Sequence, residues 1–436
     1  MFNFDNTYTK LPEMFFSYQN PAKNPAAEMI YFNEALAKSL GVGDLGDFPR
    51  FFSGDELPKG AAPFAQAYAG FQYGRFNVLG DGRAVVLGEH IAPGGQRFDV
   101  QLKGGGKTSY SRDGDGLAAV APMLREVLVS EFLAAVGIPT TRCLAVVKTG
   151  KNVLRERVLE SAVLTRIASS HIRVGTFDFA RLMGKTDDVK ALADYVIWRH
   201  FPHLANSAEK YVLLLREVAD LQAKLIASWM NVGFVHGVMN TDNMAVCGET
   251  IDLGPCAFLD KYAPNTTFSS IDRHGRYAYK NQPAIGGWNL ARFSESLLPL
   301  FHENVEKGVE IAEAEIETYS AKFDKYWLDG MRNKMGLDRS NEGDGIIVRD
   351  FLTNMQKNGQ DFSVSFYALG SIQKGMNNPA VMPRNHHVQE ALDAAENGDM
   401  SHFYALLTAL RNPYQYHEKF SQPPQNDEKY ITFCGT

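Results

Sequence analysis

Cysteine is scarce. The 436 residues contain four, Cys143, Cys247, Cys256 and Cys434. None stands in a C-x-x-C spacing, which argues against a structural zinc ribbon and a disulfide-built scaffold. Long basic runs are absent and the formal net charge is −6, so nucleic acid and anionic membrane surfaces are not expected partners. No apolar stretch approaches the roughly 20 residues that cross a bilayer. The first 40 residues hold Lys10, Lys23 and Lys38 but no arginine and no signal-peptide core. A reducing cytoplasm is the expected compartment. Internal repeats and low-complexity linkers are missing too.

What is present is a chain 45% hydrophobic, enough for a sizeable core. Its first part is strand- and turn-rich. "NEALAKSLG" (33–41) reads as a short helix with Asn33 as N-cap and Gly41 as stop. "FQYGRFNVLGDGRAVVLGEHI" and "RFDVQLKG" read as strands broken by Gly and Asp. "APMLREVLVSEFLAAVG" is a helix with Pro122 in its first turn, apolar almost all round and so expected between other elements. "TTRCLAVVKTG" and "ESAVLTRIA" are further strands. From about residue 175 the pattern turns helical. The expected fold is α+β: a β-rich lobe over 1–165 with an N-terminal extension, then a larger α-helical lobe over 166–436 with a C-terminal extension.

Half of a nucleotide-phosphate loop stands in "QLKGGGKTSYSRDGDG". Gly106-Lys107-Thr108 fits the end of G-x-x-x-x-G-K-[ST], but the first glycine is replaced by Gln101. A working loop of this kind leads straight into a helix, and "SYSRDGDG" consists of turn formers instead. Lys107 is therefore read as a loop lysine.

A second constellation is more complete. Lys103 ends a strand, and Glu126 follows on the buried-looking helix, as in the phosphate-holding lysine and helix glutamate of protein kinases. His236 is followed seven residues later by Asn243, and Asp252-Leu253-Gly254 stands where kinases carry D-F-G. Asn243 and Asp252 offer two hard oxygen ligands, suited to Mg²⁺. Two kinase features are missing. The catalytic aspartate, two residues after the histidine, is Val238, which cannot take a proton. The glycine-rich lid is reduced to Gly80 and Gly82 in "LGDGRA", followed by Arg83. Asp242, beside Asn243, is the candidate replacement base. Glu131 shares the helix of Glu126 and lies deeper in its apolar stripe. His200 and His203 are spaced like metal ligands but read as ordinary histidines.

Taken with "LREVLVSEFLAAVGIPTTR", "VLTRIASSHIRVGTF", "HGVMNTDNM", "IDLGPCAFLD", "GRYAYKNQPAIGGWNLAR", "NPAVMPRNHHVQEAL" and the near-terminal "CGT", these motifs make the chain resemble the selenoprotein O family nearly end to end. That resemblance implies a two-lobed protein-kinase-like fold and protein adenylyltransferase activity, with ATP bound flipped relative to ordinary kinases. It implies a nucleotide site of Gly80, Gly82, Arg83, Lys103, Asp115, Gly116, Arg166, Arg173 and Asp252. It places Mg²⁺ or Mn²⁺ on Asn243 and Asp252, makes Asp242 the base and favours Glu126 as the partner of Lys103. The acceptors implied are protein Ser, Thr or Tyr hydroxyls. Uridylylation from UTP with Mn²⁺ and a catalytically silent nucleotide-binding scaffold remain alternatives. Phe71 and Leu253 depart from the family pattern at positions that concern packing. Cys434 occupies the tail position that is selenocysteine in some members of the family, and a redox disulfide is expected of it, with the partner cysteine left open and Cys256 one candidate.

Overall fold

Alternation builds the first part of the molecule. In "RFDVQLK" the side chains of Phe98, Val100 and Leu102 enter one hydrophobic core, so Asp99, Gln101 and Lys103 project to the opposite face. In the computed structural model, which describes residues 1–42, 49–337, 341, 343–372, 378–425 and 430–432, this segment is a central strand of a seven-stranded sheet. The strands of the first part are β1 (Phe16–Tyr18), β2 (Glu28–Phe32), β3 (Phe64–Gln66), β4 (Ala69–Gln72), β5 (Arg75–Val78), β6 (Ala84–Ile91), β7 (Arg97–Lys103), β8 (Arg142–Leu154) and β9 (Val158–Ala168). The large sheet has the order β1-β3-β6-β7-β9-β8-β2, while β4 and β5 form a separate hairpin. Register in the centre is antiparallel, with Gln101 opposite Arg166 and Lys103 opposite both Ala84 and Leu164.

Each face of the sheet carries a core. On one side lie helices α1 (Glu34–Ser39) and α2 (Pro49–Phe52), with Leu36, Leu40 and Phe52 against Leu102, Leu144 and Val163. Asn33 caps α1 as expected, accepting from the Leu36 amide at 3.1 Å. On the other side lies α3 (Val120–Ala135), buried along almost its whole length. Its all-round apolarity has a simple cause, since the sheet covers one side and two C-terminal helices cover the other.

The remaining helices are α4 (Val174–Met183), α5 (Thr186–His200), α6 (Lys210–Asn231), α7 (Gln282–Phe301), α8 (Val305–Met335), α9 (Asp344–Lys357), α10 (Phe362–Ile372), α11 (Asn385–Glu396) and α12 (Ser401–Arg411). Helices α6, α7 and α8 pack together, and α4 rests on α5 and α7. A short pair, β10 (Phe234–Val235) and β11 (Ala257–Phe258), holds the ends of the segment that contains His236, Asn243 and Asp252. The architecture is α+β and two-lobed, sheet first and helices second. A cut at residue 165 falls inside β9, which continues to Ala168; we place the change of lobe at 169–173, before α4 begins. Helices α11 and α12 turn back onto α3 of the first lobe. No helix among the described residues is long and apolar enough to cross a membrane.

Candidate active site

A cavity of about 320 Å³ opens where the sheet meets the helical lobe. The sheet side contributes Gly80, Gly82, Arg83, Lys103, Asp115, Gly116 and Arg166; Arg173, Asp242, Asn243 and Asp252 come from beyond it. Residues up to 172 positions apart in sequence, picked for nucleotide, metal or proton chemistry, thus share one wall. A larger cavity of about 740 Å³ lies by Leu259, Thr266 and Tyr430. Its described lining holds one lysine and no arginine, unlike the cation-rich lining that suits a triphosphate.

Lys103, at the end of β7, is nearly buried and forms an ion pair with Glu126 of α3. Its ammonium also donates to Asp252 Oδ1 at 2.9 Å. Glu131 is occupied elsewhere, with Arg142 Nη2 at 2.5 Å, Arg411 Nε at 2.8 Å and Asn33 Nδ2 at 3.0 Å. Glu126 is therefore the geometric partner of Lys103. The Arg166 guanidinium donates to Gln101 Oε1 from Nε at 3.1 Å and Nη2 at 2.5 Å. Arg173, the residue that precedes α4, lies over the Tyr68 ring at 4.1 Å and donates to the Asp242 carbonyl at 3.2 Å. Its buried Nη2 has no hydrogen-bond partner among the described residues. Buried guanidinium donors rarely go unpaired unless a ligand completes them.

Asp242 lies in the 3₁₀ turn Thr241–Asn243 and is only 8% exposed. Burial pushes its carboxyl up to about 7, against the pull of the Arg173 charge. A carboxylate poised there can accept a proton near neutral pH. Asp252 has a left-handed backbone, φ 62°, a conformation that Asp tolerates better than most residues. Burial pushes its carboxyl up too, but the Lys103 ammonium, with Arg83 and Arg166, more than reverses this and holds it below the usual carboxylate range. The Asn243 amide nitrogen donates to the Val238 carbonyl at 2.9 Å, which turns its oxygen the other way. Asn243 and Asp252 are hard oxygen donors on one cavity wall, a set that fits Mg²⁺ or Mn²⁺ with water and phosphate as further ligands. His236 serves the scaffold, with Nε2 at 2.9 Å from the Ile251 carbonyl and its ring buried.

The glycines have steric reasons. A Cβ on Gly80 meets the Tyr110 ring at 2.4 Å, and one on Gly116 meets the Gly106 carbonyl carbon at 2.2 Å. The 104–119 loop folds over the 80–82 loop, with Thr108 Oγ1 donating to the Asp81 carbonyl at 2.7 Å. Lys107 points away, exposed. Asp115 is paired with Arg155 at 2.7 Å, and both line the cavity. Arg155, Tyr68, Gln72 and Asp81 escaped sequence reasoning. Of these only Asp81 had a signal, as the one acid between Gly80 and Gly82.

Comparisons with known proteins show the family of the chain. A sequence profile described as "Protein adenylyltransferase SelO" matches residues 1–377. The chain belongs to this family. It is 50% identical to the "Protein nucleotidyltransferase YdiU" of Clostridium perfringens, over 100% of this chain and 98% of that one. It is 49% identical to the protein of the same name from Geobacillus kaustophilus, over 99% of each. Among solved structures, ROP2 from Toxoplasma gondii, titled a virulence factor with a protein-kinase fold and no enzymatic activity, aligns at 12% identity and TM-score 0.26. That alignment covers 81% of this chain and 88% of that one, and is too loose to bear on fold or function. As a SelO-family member the chain is a nucleotidyltransferase.

The two departures from the SelO-family pattern are packing residues. Phe71 meets Phe76 and Trp288 edge-on, at 5.4 and 5.6 Å, and Leu253 is fully buried in the main core. His200 is half-buried against Ser170 and His203 is exposed beside Glu217, so the two form no joint site. Cys434 lies outside the described residues, and so does the disulfide expected of it. Cys256 is buried, with its thiol donating to the Leu253 carbonyl at 3.0 Å.

Proposed function

We propose that the chain transfers AMP from ATP to a Ser, Thr or Tyr hydroxyl of a protein and releases pyrophosphate. The observation that carries this reading is the position of Asp242. It is a buried carboxylate, pushed up to about 7 by burial, that lines the same cavity as Lys103, Arg166 and Arg173, while Val238 stands where a kinase carries its aspartate. Asp242 takes the acceptor's proton as the hydroxyl oxygen attacks the α-phosphorus. The bond from that phosphorus to the bridging oxygen breaks, and pyrophosphate leaves with its charge matched by the three cations. Lys103 is kept in place by Glu126 and Asp252. Asn243 and Asp252 would hold a divalent cation, Mg²⁺ or Mn²⁺, which would supply charge neutralisation along the phosphates.

The test is transfer from ATP labelled separately at its α- and γ-phosphates to a protein acceptor, with the intact mass of the enzyme as a second readout. Label from the α-phosphate, and a mass gain of one nucleotide monophosphate, are expected. Label from the γ-phosphate alone makes the chain an ordinary kinase. Transfer only from UTP with Mn²⁺ makes it a uridylyltransferase. Nucleotide binding with no transfer makes it a scaffold. Asp252→Ala is expected to abolish transfer.

A further inference from the structure

Among the five cations that line the cavity are Lys103, Arg166 and Arg173, and like charges do not hold a fixed arrangement unaided. The groups behind them form one line. Asp252 meets Lys103, Lys103 meets Glu126, and Glu126 Oε2 lies 3.9 Å from Arg166 Nη1. Arg166 donates twice to Gln101 Oε1. Gln101 Nε2 donates to Asp81 Oδ2 at 3.2 Å, and Asp81 Oδ1 lies 3.9 Å from Arg173 Nη2. The Gln66 amide fixes Asp81 from behind, at 3.2 Å from Oδ2.

Position 101 is the odd member. It is fully buried and does not line the cavity, so it cannot touch a nucleotide. It is also the position where a phosphate-loop glycine is missing. Sheet register sets Gln101 directly opposite Arg166, on the same face as Lys103. Its side chain is an amide, and this matters. A carboxylate there compensates the Arg166 charge in a close pair, and an incoming phosphate then competes with it. An amide oxygen fixes the planar guanidinium with two hydrogen bonds and leaves its full charge for the cavity. The amide nitrogen in turn holds Asp81 at a distance from Arg173 that orients without a tight ion pair.

We infer that Gln101 is a positioning residue, which through Arg166 and Asp81 sets the two arginines as a clamp for the leaving pyrophosphate. The inference rests on the reading that these arginines grip the β- and γ-phosphates. The experiment titrates the full-length enzyme with magnesium pyrophosphate, ATP and AMP by calorimetry, for the wild type, Arg166→Ala, Gln101→Leu and Gln101→Asn. Asparagine is one methylene too short to reach Arg166, and it keeps the site polar should leucine prevent folding. Both Gln101 variants are expected to weaken pyrophosphate and ATP about tenfold or more and to change AMP by less than about twofold. A merely structural role predicts equal weakening of all three, and that result overturns the inference. If Arg166→Ala weakens pyrophosphate but the Gln101 variants do not, the inference fails alone. If Arg166→Ala leaves pyrophosphate and ATP affinity unchanged, the grip on the phosphates fails and the clamp goes with it.

Discussion

Asp242 trades stability for readiness. Its carboxyl is raised by burial to about 7, so the folded protein binds a proton there that the unfolded chain gives up near pH 4. The contribution favouring the fold is complete below the usual carboxylate range and is lost as pH rises to 7. In metal-free protein with a chelator, Asp242→Asn should therefore melt close to the wild type at pH 4 and pull ahead of it as pH rises. At pH 8 the variant should be more stable, on the order of 3 kcal/mol, while transfer is abolished. Equal melting at both pH values refutes the buried carboxylate. Gly70 guards the same group, because a Cβ there lies 2.0 Å from Asp242 Oδ1. Gly70→Ala should cut transfer about 100-fold by displacing the base, with ATP affinity in calorimetry unchanged. Asp242, Asn243 and Asp252 were legible in the sequence because they stand within one short segment, and Lys103 because it ends a strand 23 residues before Glu126. Gly70, Asp81 and Arg155 were not, since each acquires its role only when distant segments meet.

The β4–β5 hairpin shows the same division between what pattern announces and what packing decides. Tyr73 and Gly74, with φ of 51° and 83°, form a two-residue turn whose backbone twist suits a hairpin. Short strands broken by glycine announce such an element, but not where it docks. It docks on the Thr241–Asn243 turn. The Phe71 amide donates to Thr241 Oγ1 at 3.0 Å, and the Tyr73 amide to Asn240 Oδ1 at 3.2 Å. Tyr277 adds its hydroxyl to the same Asn240 oxygen at 2.5 Å. Gly175 of α4 allows the approach, as a Cβ there meets the Ala69 carbonyl at 2.0 Å. Thr241→Val keeps the shape and removes the acceptor, leaving the Phe71 amide unsatisfied at a cost of about 1–3 kcal/mol. Amide exchange over 69–78 should quicken and kcat should fall, with pyrophosphate affinity unaltered. An unchanged exchange pattern means that the latch is not what holds the hairpin.

At the scale of the whole molecule, the C-terminal helices tie the two lobes together. Arg411 of α12 reaches Glu131 and the Tyr31 hydroxyl at 2.8 and 2.9 Å, and so steadies α3, the helix that presents Glu126. Arg384, just before α11, is 1% exposed and bonds Asp260 at 2.9 Å and Asp361 at 2.7 Å. These carboxylates belong to the segment after β11 and to the start of α10, so one guanidinium joins three parts of the helical lobe. The motif "NPAVMPRNHHVQEAL" is visible in the sequence, but the partners of its arginine, 124 and 23 positions away, are not. Arg384→Met leaves two acidic groups close together without their cation, and such a loss costs about 3–5 kcal/mol. The sign of the pH effect follows. Burial already pushes the Asp260 carboxyl up despite Arg384, and without that cation it rises further, so the variant regains stability as protons bind. Thermal melting should show a large deficit at pH 8 and a smaller one at pH 5. A deficit that is the same at both pH values assigns the loss to packing and not to the unpaired carboxylates.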